Sequence, residues 1–404
     1  MWEQIRSNQI RSVVLVIGMA GLLLLLGYFL GVYFLGSATG GVIIALIIWA
    51  IMNLVAYFQG DSILLGLSKA KKIERDDHPR LYNIVEEMKI ASGLEKMPDV
   101  YIIDDPALNA FATGRSPKRA SVAITSGLLQ QLNRDELQGV IAHEMAHVKN
   151  RDVLLMSLCS VLLGTIVILS WYATHMLFFS AMTGGRRSSG GGGSGGAIIL
   201  VIGLVLIILA PIFARLIYFA ISRKREYLAD ASAALYTRYP DGLASALEKL
   251  GGSKLQLQSA NQATAPMYII NPFRKKKKAA TDLSSTHPPI SERVRILRSM
   301  AGGASFADYS NAYQQVHKGG GSVLPASALA GAGVVGLRAA VSDTAPMEPE
   351  PSKLDRTREV SDLMWRKNDY RTINCDCGTR LRVPPKLKKA NIKCPHCGRV
   401  HPVR

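Results

Sequence analysis

Cysteine and histidine are scarce in this sequence, which has 5 cysteines and 8 histidines among 404 residues. Cys159 is the one cysteine before Cys375, and it lies in an apolar run where it is expected only to pack. A disulfide framework is therefore excluded as the basis of the fold over most of the chain. Because histidine is rare, the close pair His143 and His147 stands out as a candidate metal-binding feature.

Acidic residues are also few. The chain has 30 Asp and Glu against 48 Lys and Arg, which gives a formal net charge of +18, and much of the excess lies from Val360 onward. A basic tail can bind nucleic acid, recruit substrate proteins or lie on anionic lipid headgroups. Apolar runs elsewhere in the chain favour lipid and protein partners over nucleic acid. The sequence does not indicate an oligomeric state.

Four long apolar runs indicate a membrane protein. They cover residues 13–35, 42–58, 153–179 and 197–221, and each is near the ~20 residues that a membrane-spanning helix needs. The first run is too long for a cleavable signal peptide, and the second follows it at once. Lys and Arg flank both predicted hairpins on the same side, so both termini are expected in the cytoplasm and the loop 182–196 outside.

The most specific motif is His143-Glu144-Met145-Ala146-His147. Positions i and i+4 of a helix lie on one face, so the two imidazoles can bind one metal ion. This is the H-E-x-x-H pattern of zinc hydrolases, in which zinc lowers the pKa of its water from about 15.7 toward about 7 and the glutamate is the base. Asn133 and Glu136 form a predicted capping box, which indicates that the motif lies inside a helix.

A catalytic zinc site needs a third protein ligand, and Glu226 is the best candidate. Asp230 follows one helical turn later, where its carboxylate can accept a hydrogen bond from a ligand imidazole and fix the tautomer. Two of the predicted spans lie between His147 and Glu226. Because two spans form a hairpin, they return Glu226 to the same side of the membrane as His147.

These motifs resemble those of the HtpX-type membrane zinc metalloproteases, which are relatives of the CAAX prenyl endopeptidases. The resemblance includes Asn109-Ala110-Phe111-Ala112 before the zinc helix and Thr286-His287-Pro288-Pro289 with Arg293 after the second hairpin. It covers about Leu65 to Leu297 and implies that Asn109 to Ala112 line the substrate cleft. As an edge strand, this segment would hold an extended substrate through main-chain hydrogen bonds.

Two residues after the second hairpin are further candidates for the reaction. His287 is expected to donate a hydrogen bond to the oxyanion of the transition state, with a purely structural histidine as the alternative. Arg293 either supports the transition state as well or pairs with a carboxylate.

The sequence predicts a mainly α membrane protein with a small α+β zincin-like catalytic domain. An N-terminal transmembrane hairpin covers residues 1–59, and the metalloprotease domain covers 60–300 with the second hairpin at 153–221 inside it. A flexible linker rich in small residues and proline is predicted over 301–358. Residues 359–404 are predicted to form a β-rich zinc ribbon.

The tail contains two close pairs of cysteines: Cys375, Cys377, Cys394 and Cys397. Four thiolates in two pairs are the usual ligands of a structural tetrahedral zinc ion. The first pair is C-x-C where C-x-x-C is usual, so His396 or His401 remain open as substitute ligands. Disulfides are the competing account, but thiols in the cytoplasm stay reduced.

The sequence thus predicts a multi-pass zinc endopeptidase of the cell membrane whose active site faces the cytoplasm. By resemblance, its substrates are misfolded or damaged membrane proteins, which implies a role in quality control. Two alternatives remain open: a prenyl-protein endopeptidase, which shares the motifs, and a non-catalytic zinc scaffold that recruits partners through the ribbon. Glu144 argues against the scaffold, because a structural zinc site needs no base.

Overall fold

The computed structural model describes most of the chain. The described residues are 2–153, 156, 164, 166–175, 195–259, 265–270, 272, 287–300, 302–319, 321–330, 333–338, 350–385, 387 and 391–403.

The chain begins with two long helices that form a hairpin. Helix α1 (Trp2–Leu30) continues through a π-helical turn (Gly31–Leu35) and is followed by α2 (Ala38–Leu67), whose N-cap Ser37 accepts a hydrogen bond from the amide of Gly40. The two helices cross at small residues. A Cβ added to Gly41 would lie 2.2 Å from the carbonyl oxygen of Gly27, so only glycine permits this separation.

Among the described residues, one helical segment is long and apolar enough to cross a bilayer, namely Ala38–Val55 with a mean hydropathy of 2.2 and 11% of the segment buried. The apolar part of α1, Val16–Leu30, is shorter. Much of the predicted span 153–179 lies outside the described residues. The predicted span 197–221 falls within one helix, α6 (Gly195–Thr237), part of whose side chains are not described. The count of four spans therefore stays a prediction.

A mixed four-stranded sheet follows the hairpin. Its strands are β1 (Lys71–Ile73), β2 (Asp99–Ile103), β3 (Ala110–Ser116) and β4 (Arg119–Thr125), in the order β1-β2-β4-β3. β2 and β4 are parallel, and the two outer pairs are antiparallel. β3 is an edge strand, as predicted for the segment that begins at Asn109. Helix α3 (Pro79–Ser92) lies between β1 and β2 in the chain and buries Leu81, Ile84 and Val85 in the core.

Four further helices complete the catalytic domain: α4 (Ser126–Gln131), α5 (Arg134–Lys149), α7 (Pro240–Gly252) and α8 (Ile290–Arg298). The capping box of Asn133 and Glu136 at the start of α5 is confirmed. α5 and α7 approach closely because each has a glycine at the crossing. A Cβ on Gly139 would lie 2.6 Å from the amide nitrogen of Leu243, and one on Gly242 would lie 2.6 Å from the carbonyl oxygen of Asp135.

The structure differs from the flexible linker predicted over 301–358. This segment contains α9 (Phe306–Val316), α10 (Ala326–Ala330) and the start of α11 (Lys353–Lys367). Ser305 and Asp308 form a capping box at the start of α9. Apolar side chains at helical spacing, such as Phe306 and Tyr309, then pack into the main core. Burial of this apolar face lowers the free energy enough to offset the conformational entropy that the segment loses when it becomes ordered.

Helix α11 joins the tail to the catalytic domain, so the predicted boundary at residue 359 falls inside a packed helix. Val360 and Leu363 belong to the main core. Lys367 forms a 2.6 Å ion pair with Asp77, and Arg356 donates to the carbonyl oxygen of Gln130 at 3.3 Å. The ribbon that follows is two hairpins, one of β5 (Arg371–Asn374) and β6 (Arg380–Val383), the other of β7 (Asn391–Lys393) and β8 (Val400–Pro402).

Gly41→Ala is expected to destabilise the N-terminal hairpin by about 1–3 kcal/mol, the usual cost of overpacking. Gly66→Ala is the matched control in the same helix, because its added Cβ has nothing within 4 Å. That change should be neutral or stabilise α2 by up to about 1 kcal/mol. Thermal unfolding of the detergent-solubilised protein measures both, and an equal Tm for the two variants would contradict the close crossing.

Candidate metal centre

Three candidate ligands meet between helices α5 and α6. His143 and His147 lie one turn apart on α5, and Glu226 faces them from α6. The Nε2 atoms of His143 and His147 lie 3.5 and 3.4 Å from the two carboxylate oxygens of Glu226. One ligand atom from each residue lies within 4.8 Å of the others. The structure therefore brings together residues that are 79 positions apart in the sequence.

The space between these groups fits a cation. His143 Nε2, Glu226 Oε2 and Glu144 Oε2 are all buried and lack a hydrogen-bond partner. Buried polar atoms normally have a partner; a metal ion would satisfy His143 and Glu226, and a water molecule on that ion would satisfy Glu144. Burial alone would lower the pKa of His147, but the carboxylates of Asp152 and Glu226 raise it to about 10. The site therefore favours positive charge, and its two imidazoles and one carboxylate are the usual ligand types of catalytic zinc.

Glu144 lies beside the ligands on α5 and is only 1% exposed. Burial raises the pKa of this carboxyl group, and a hydrogen bond from the backbone of Ala112 partly opposes the shift. A raised pKa suits a general base, because the group then holds a proton more readily near neutral pH. Ala112 belongs to the edge strand β3, so the base lies directly against the predicted substrate strand.

His143 is held from behind by an ion pair. Its Nδ1 atom lies 3.0 Å from Asp230 Oδ1. Arg293 of α8 binds Asp230 through two hydrogen bonds, from Nε at 2.8 Å and from Nη2 at 2.7 Å. Burial would raise the pKa of Asp230, but Arg293 lowers it below its usual value. Of the two roles predicted for Arg293, the geometry favours carboxylate pairing.

His147 has a similar contact that the sequence analysis missed. Its Nδ1 atom lies 3.2 Å from Asp152 Oδ2, and Arg225 Nη1 lies 3.6 Å from Asp152 Oδ1. A faint signal was present in the sequence, because Asp152 is an acidic residue at the entrance to an apolar run. Its position five residues after His147 does not fit the spacing of one helix face.

His287 also reaches the site. Its Nε2 atom lies 3.7 Å from Glu226 Oε1, and the residue is buried. Burial lowers the pKa of His287 to about 4, so the imidazole is neutral at neutral pH. A neutral imidazole still has one N–H group to donate. Thr286, which precedes His287 in the predicted motif, lies outside the described residues.

The predicted substrate strand is only partly available for pairing with a substrate, because another segment of the chain already bonds to it. The amide of Ile269 donates to the carbonyl oxygen of Ala110 at 3.0 Å, and the side-chain amide of Asn109 donates to the carbonyl oxygen of Ile270 at 3.0 Å. Phe111 points into the core, where its ring packs edge-on against Tyr268. Of the four residues predicted to line the cleft, Ala112 is the one that reaches Glu144. The sequence did not show this pairing, because it joins segments about 160 positions apart.

The four tail cysteines form a second cluster. Cys375 Sγ lies 3.4 Å from Cys397 Sγ, and Cys377 Sγ lies 3.7 Å from Cys394 Sγ. All four are free thiols, and their sulfur atoms lie within 4.8 Å of one another. Each pair lies at a tight turn that ends in a glycine with positive φ, Gly378 at 83° and Gly398 at 77°. The C-x-C pair therefore converges with the C-x-x-C pair, and the cluster contains no histidine among the described residues.

Comparison with known proteins bears on the first cluster. The family model of peptidase family M48 matches residues 75–301, which include both histidines, Glu144 and Glu226. The chain belongs to peptidase family M48. This finding confirms the resemblance seen in the sequence, and it makes the protein a metallopeptidase.

Individual relatives of this peptidase carry a more specific name. Protease HtpX homolog from Dictyoglomus turgidum is 43% identical over 300 residues, which are 74% of this chain and 94% of the relative. Protease HtpX homolog from Streptococcus mutans is 44% identical over 298 residues, 74% of this chain and 99% of the relative. Among solved structures, the crystal structure of S. mikatae Ste24p is 22% identical with a TM-score of 0.38, and covers 74% of this chain and 67% of that one.

Arg293→Leu is expected to destabilise the peptidase by about 3–5 kcal/mol, because it leaves Asp230 buried without its partner. Arg298→Leu is the matched control on the same helix, since it breaks an exposed 2.7 Å ion pair with Glu248. Exposed pairs contribute about 0–1 kcal/mol. Urea unfolding of the two variants measures the difference, and equal losses of stability would contradict a dominant role for the buried pair.

Proposed function

We propose that this peptidase is a membrane-integral, zinc-dependent endopeptidase that cleaves misfolded or damaged proteins on the cytoplasmic side of the membrane. The observation that carries the proposal is the convergence of His143, His147 and Glu226 with the buried carboxylate of Glu144 beside them. A structural zinc site has a closed ligand shell, whereas three protein ligands and an adjacent base are typical of hydrolysis.

In the proposed reaction, His143, His147 and Glu226 would hold a zinc ion, which would supply Lewis acidity and lower the pKa of the attacking water. Glu144 accepts the proton from this water and passes it to the leaving amine, so one carboxylate acts as base and then as acid. Asp230 keeps the Nε2 atom of His143 turned toward Glu226. His287, neutral and buried, donates its N–H group toward the oxygen of the scissile carbonyl as negative charge develops there.

The edge strand suggests how a substrate of any sequence could be held. Thr125 donates to the carbonyl oxygen of Asn109 at 3.0 Å, so odd-numbered positions of β3 bond to β4. Ala112 and Gly114 therefore direct their main-chain groups away from the sheet. A polypeptide in extended form can pair with the carbonyl oxygen of Ala112 and with Gly114 without regard to its side chains, which suits unfolded chains. The N–H group of Ala112 already bonds to Glu144.

We also propose that the membrane helps to assemble the metal site. Helix α6 (Gly195–Thr237) is continuous through the predicted fourth span and on to Glu226 and Asp230. The carboxylate ligand thus lies on the cytoplasmic extension of a spanning helix. A hairpin of two spans between His147 and Glu226 returns that helix to the side of the membrane on which α5 lies.

The ribbon is proposed to bind a second, structural zinc ion through its four cysteines. Its surface and the basic residues from Val360 onward would contact unfolded protein substrates or anionic lipid headgroups. Lys393, Arg380 and Arg371 are exposed on the hairpins and are available for such contacts.

Glu144→Gln is expected to lower the rate of cleavage of an unfolded protein by at least about 100-fold, because general acid–base catalysis contributes about that much or more. The detergent-solubilised, zinc-loaded protein should keep its zinc, since Glu144 is not one of the ligands. Glu95→Gln is the matched control, because Glu95 is exposed and forms a surface ion pair with Lys118. Equal cleavage by wild type and Glu144→Gln would refute the enzyme and support the non-catalytic scaffold.

A reporter that is active only in the cytoplasm is expected to be active when fused after Arg404. The same reporter inserted in the predicted external loop 182–196 should be inactive, which provides the matched control. These results follow from the positive-inside rule. An inactive C-terminal fusion would contradict the proposed orientation and, with it, the reduced state of the tail cysteines in the cell.

A further inference from the structure

The imidazole of His147 is fixed on both sides by carboxylates. Its Nε2 atom lies 3.4 Å from Glu226 Oε1, and its Nδ1 atom lies 3.2 Å from Asp152 Oδ2. The side chains of His147 and Asp152 are 6% and 1% exposed, so water does not compete for this contact. With a metal ion bound, Nε2 would direct its lone pair to the ion and Nδ1 would keep its proton, which Asp152 Oδ2 accepts.

Asp152 is itself held by a cation. Arg225 Nη1 lies 3.6 Å from Asp152 Oδ1, and Arg225 immediately precedes Glu226 in the chain. The order of groups is the same as behind His143, where Asp230 faces Nδ1 and Arg293 binds Asp230, but there Arg293 makes two hydrogen bonds, whereas the Arg225–Asp152 contact is a longer ion pair. Each histidine ligand therefore has a buried carboxylate behind it, and each carboxylate has an arginine.

We propose that Asp152 is a positioning residue for the metal centre, which fixes the tautomer and ring orientation of His147, and that Arg225 holds Asp152 in place. The ion pair also joins the chain just before the predicted third span to the chain just after the predicted fourth. The affinity of the site for zinc thus depends on a contact that closes the base of the second hairpin. This inference rests on the proposed zinc site at His143, His147 and Glu226.

The first test is the zinc affinity of the full-length protein in detergent, measured by competition with a chelator. Asp152→Ala is expected to weaken zinc binding at the catalytic site by about 10- to 100-fold, the usual effect of removing a partner behind a histidine ligand. Asp152→Asn should have a smaller effect, because its amide oxygen still accepts from Nδ1. Zinc held by the ribbon cysteines should be unaffected, and Asp99→Asn, which alters an exposed ion pair with Lys72, is the matched surface control.

The second test separates positioning from general loss of structure. Cobalt replaces zinc in the same variants, and the paramagnetically shifted Nδ1–H resonance of His147 is followed by NMR. In wild type this proton should exchange slowly with solvent, because Asp152 binds it. In Asp152→Ala it should exchange fast while the Nδ1–H resonance of His143 stays slow. If Asp152→Ala does not fold, the isosteric Asp152→Asn carries both tests, with intermediate changes expected.

Two results would overturn the positioning role: an unchanged zinc Kd in Asp152→Ala, or a His147 Nδ1–H resonance that remains slow in that variant. A different result would refute the underlying site. If His143→Ala in an otherwise wild-type chain leaves the catalytic zinc bound, then the proposed ligands are wrong, whatever Asp152 does.

Discussion

The structure around the metal centre depends on a single buried carboxylate. Glu226 is approached by the two histidines of α5, by His287 and by Arg293, all at 3.4 to 3.7 Å. Burial alone would raise the pKa of Glu226, but the histidines hold it well below its usual value. A buried anion is costly unless cations and donors surround it. Helices α5, α6 and α8 and the segment at His287 therefore converge on one point, and the rest of the catalytic domain packs to hold them there.

The same requirement explains why the two carboxylates behind the histidine ligands each have a second partner. Asp230 compensates the charge of Arg293 and directs His143, while Asp152 does the same between Arg225 and His147. Such networks stabilise when every member is satisfied and are costly when one is missing. Three of the buried atoms that lack a hydrogen-bond partner, His143 Nε2, Glu226 Oε2 and Glu144 Oε2, surround the metal position.

Short-range sequence patterns were enough to predict much of the site, but they predicted less of the fold. The zinc helix could be predicted because capping by Asn133, apolar spacing and the histidine pair all lie within one segment. Asp152 could not, since Arg151 adopts a positive φ of 59° and turns the chain after α5, which brings Asp152 back to His147. The pairing of Ile269 with Ala110 was equally hidden, because it depends on tertiary contacts. Helix α9 was missed because its apolar face is short and lies among small residues.

Helix α6 contains a proline, Pro211, inside its apolar part and 15 residues before Glu226. Proline removes one backbone hydrogen bond, so the helix bends most easily at this residue. At about 1.5 Å per residue, this point is roughly 22 Å from Glu226. Bilayers differ in thickness, and spanning helices respond by tilting. If α6 spans the bilayer as proposed, a bend at Pro211 would let the part of the helix before it follow the lipid while the part after it stays packed on α5. The coordination geometry would then depend little on the thickness of the membrane.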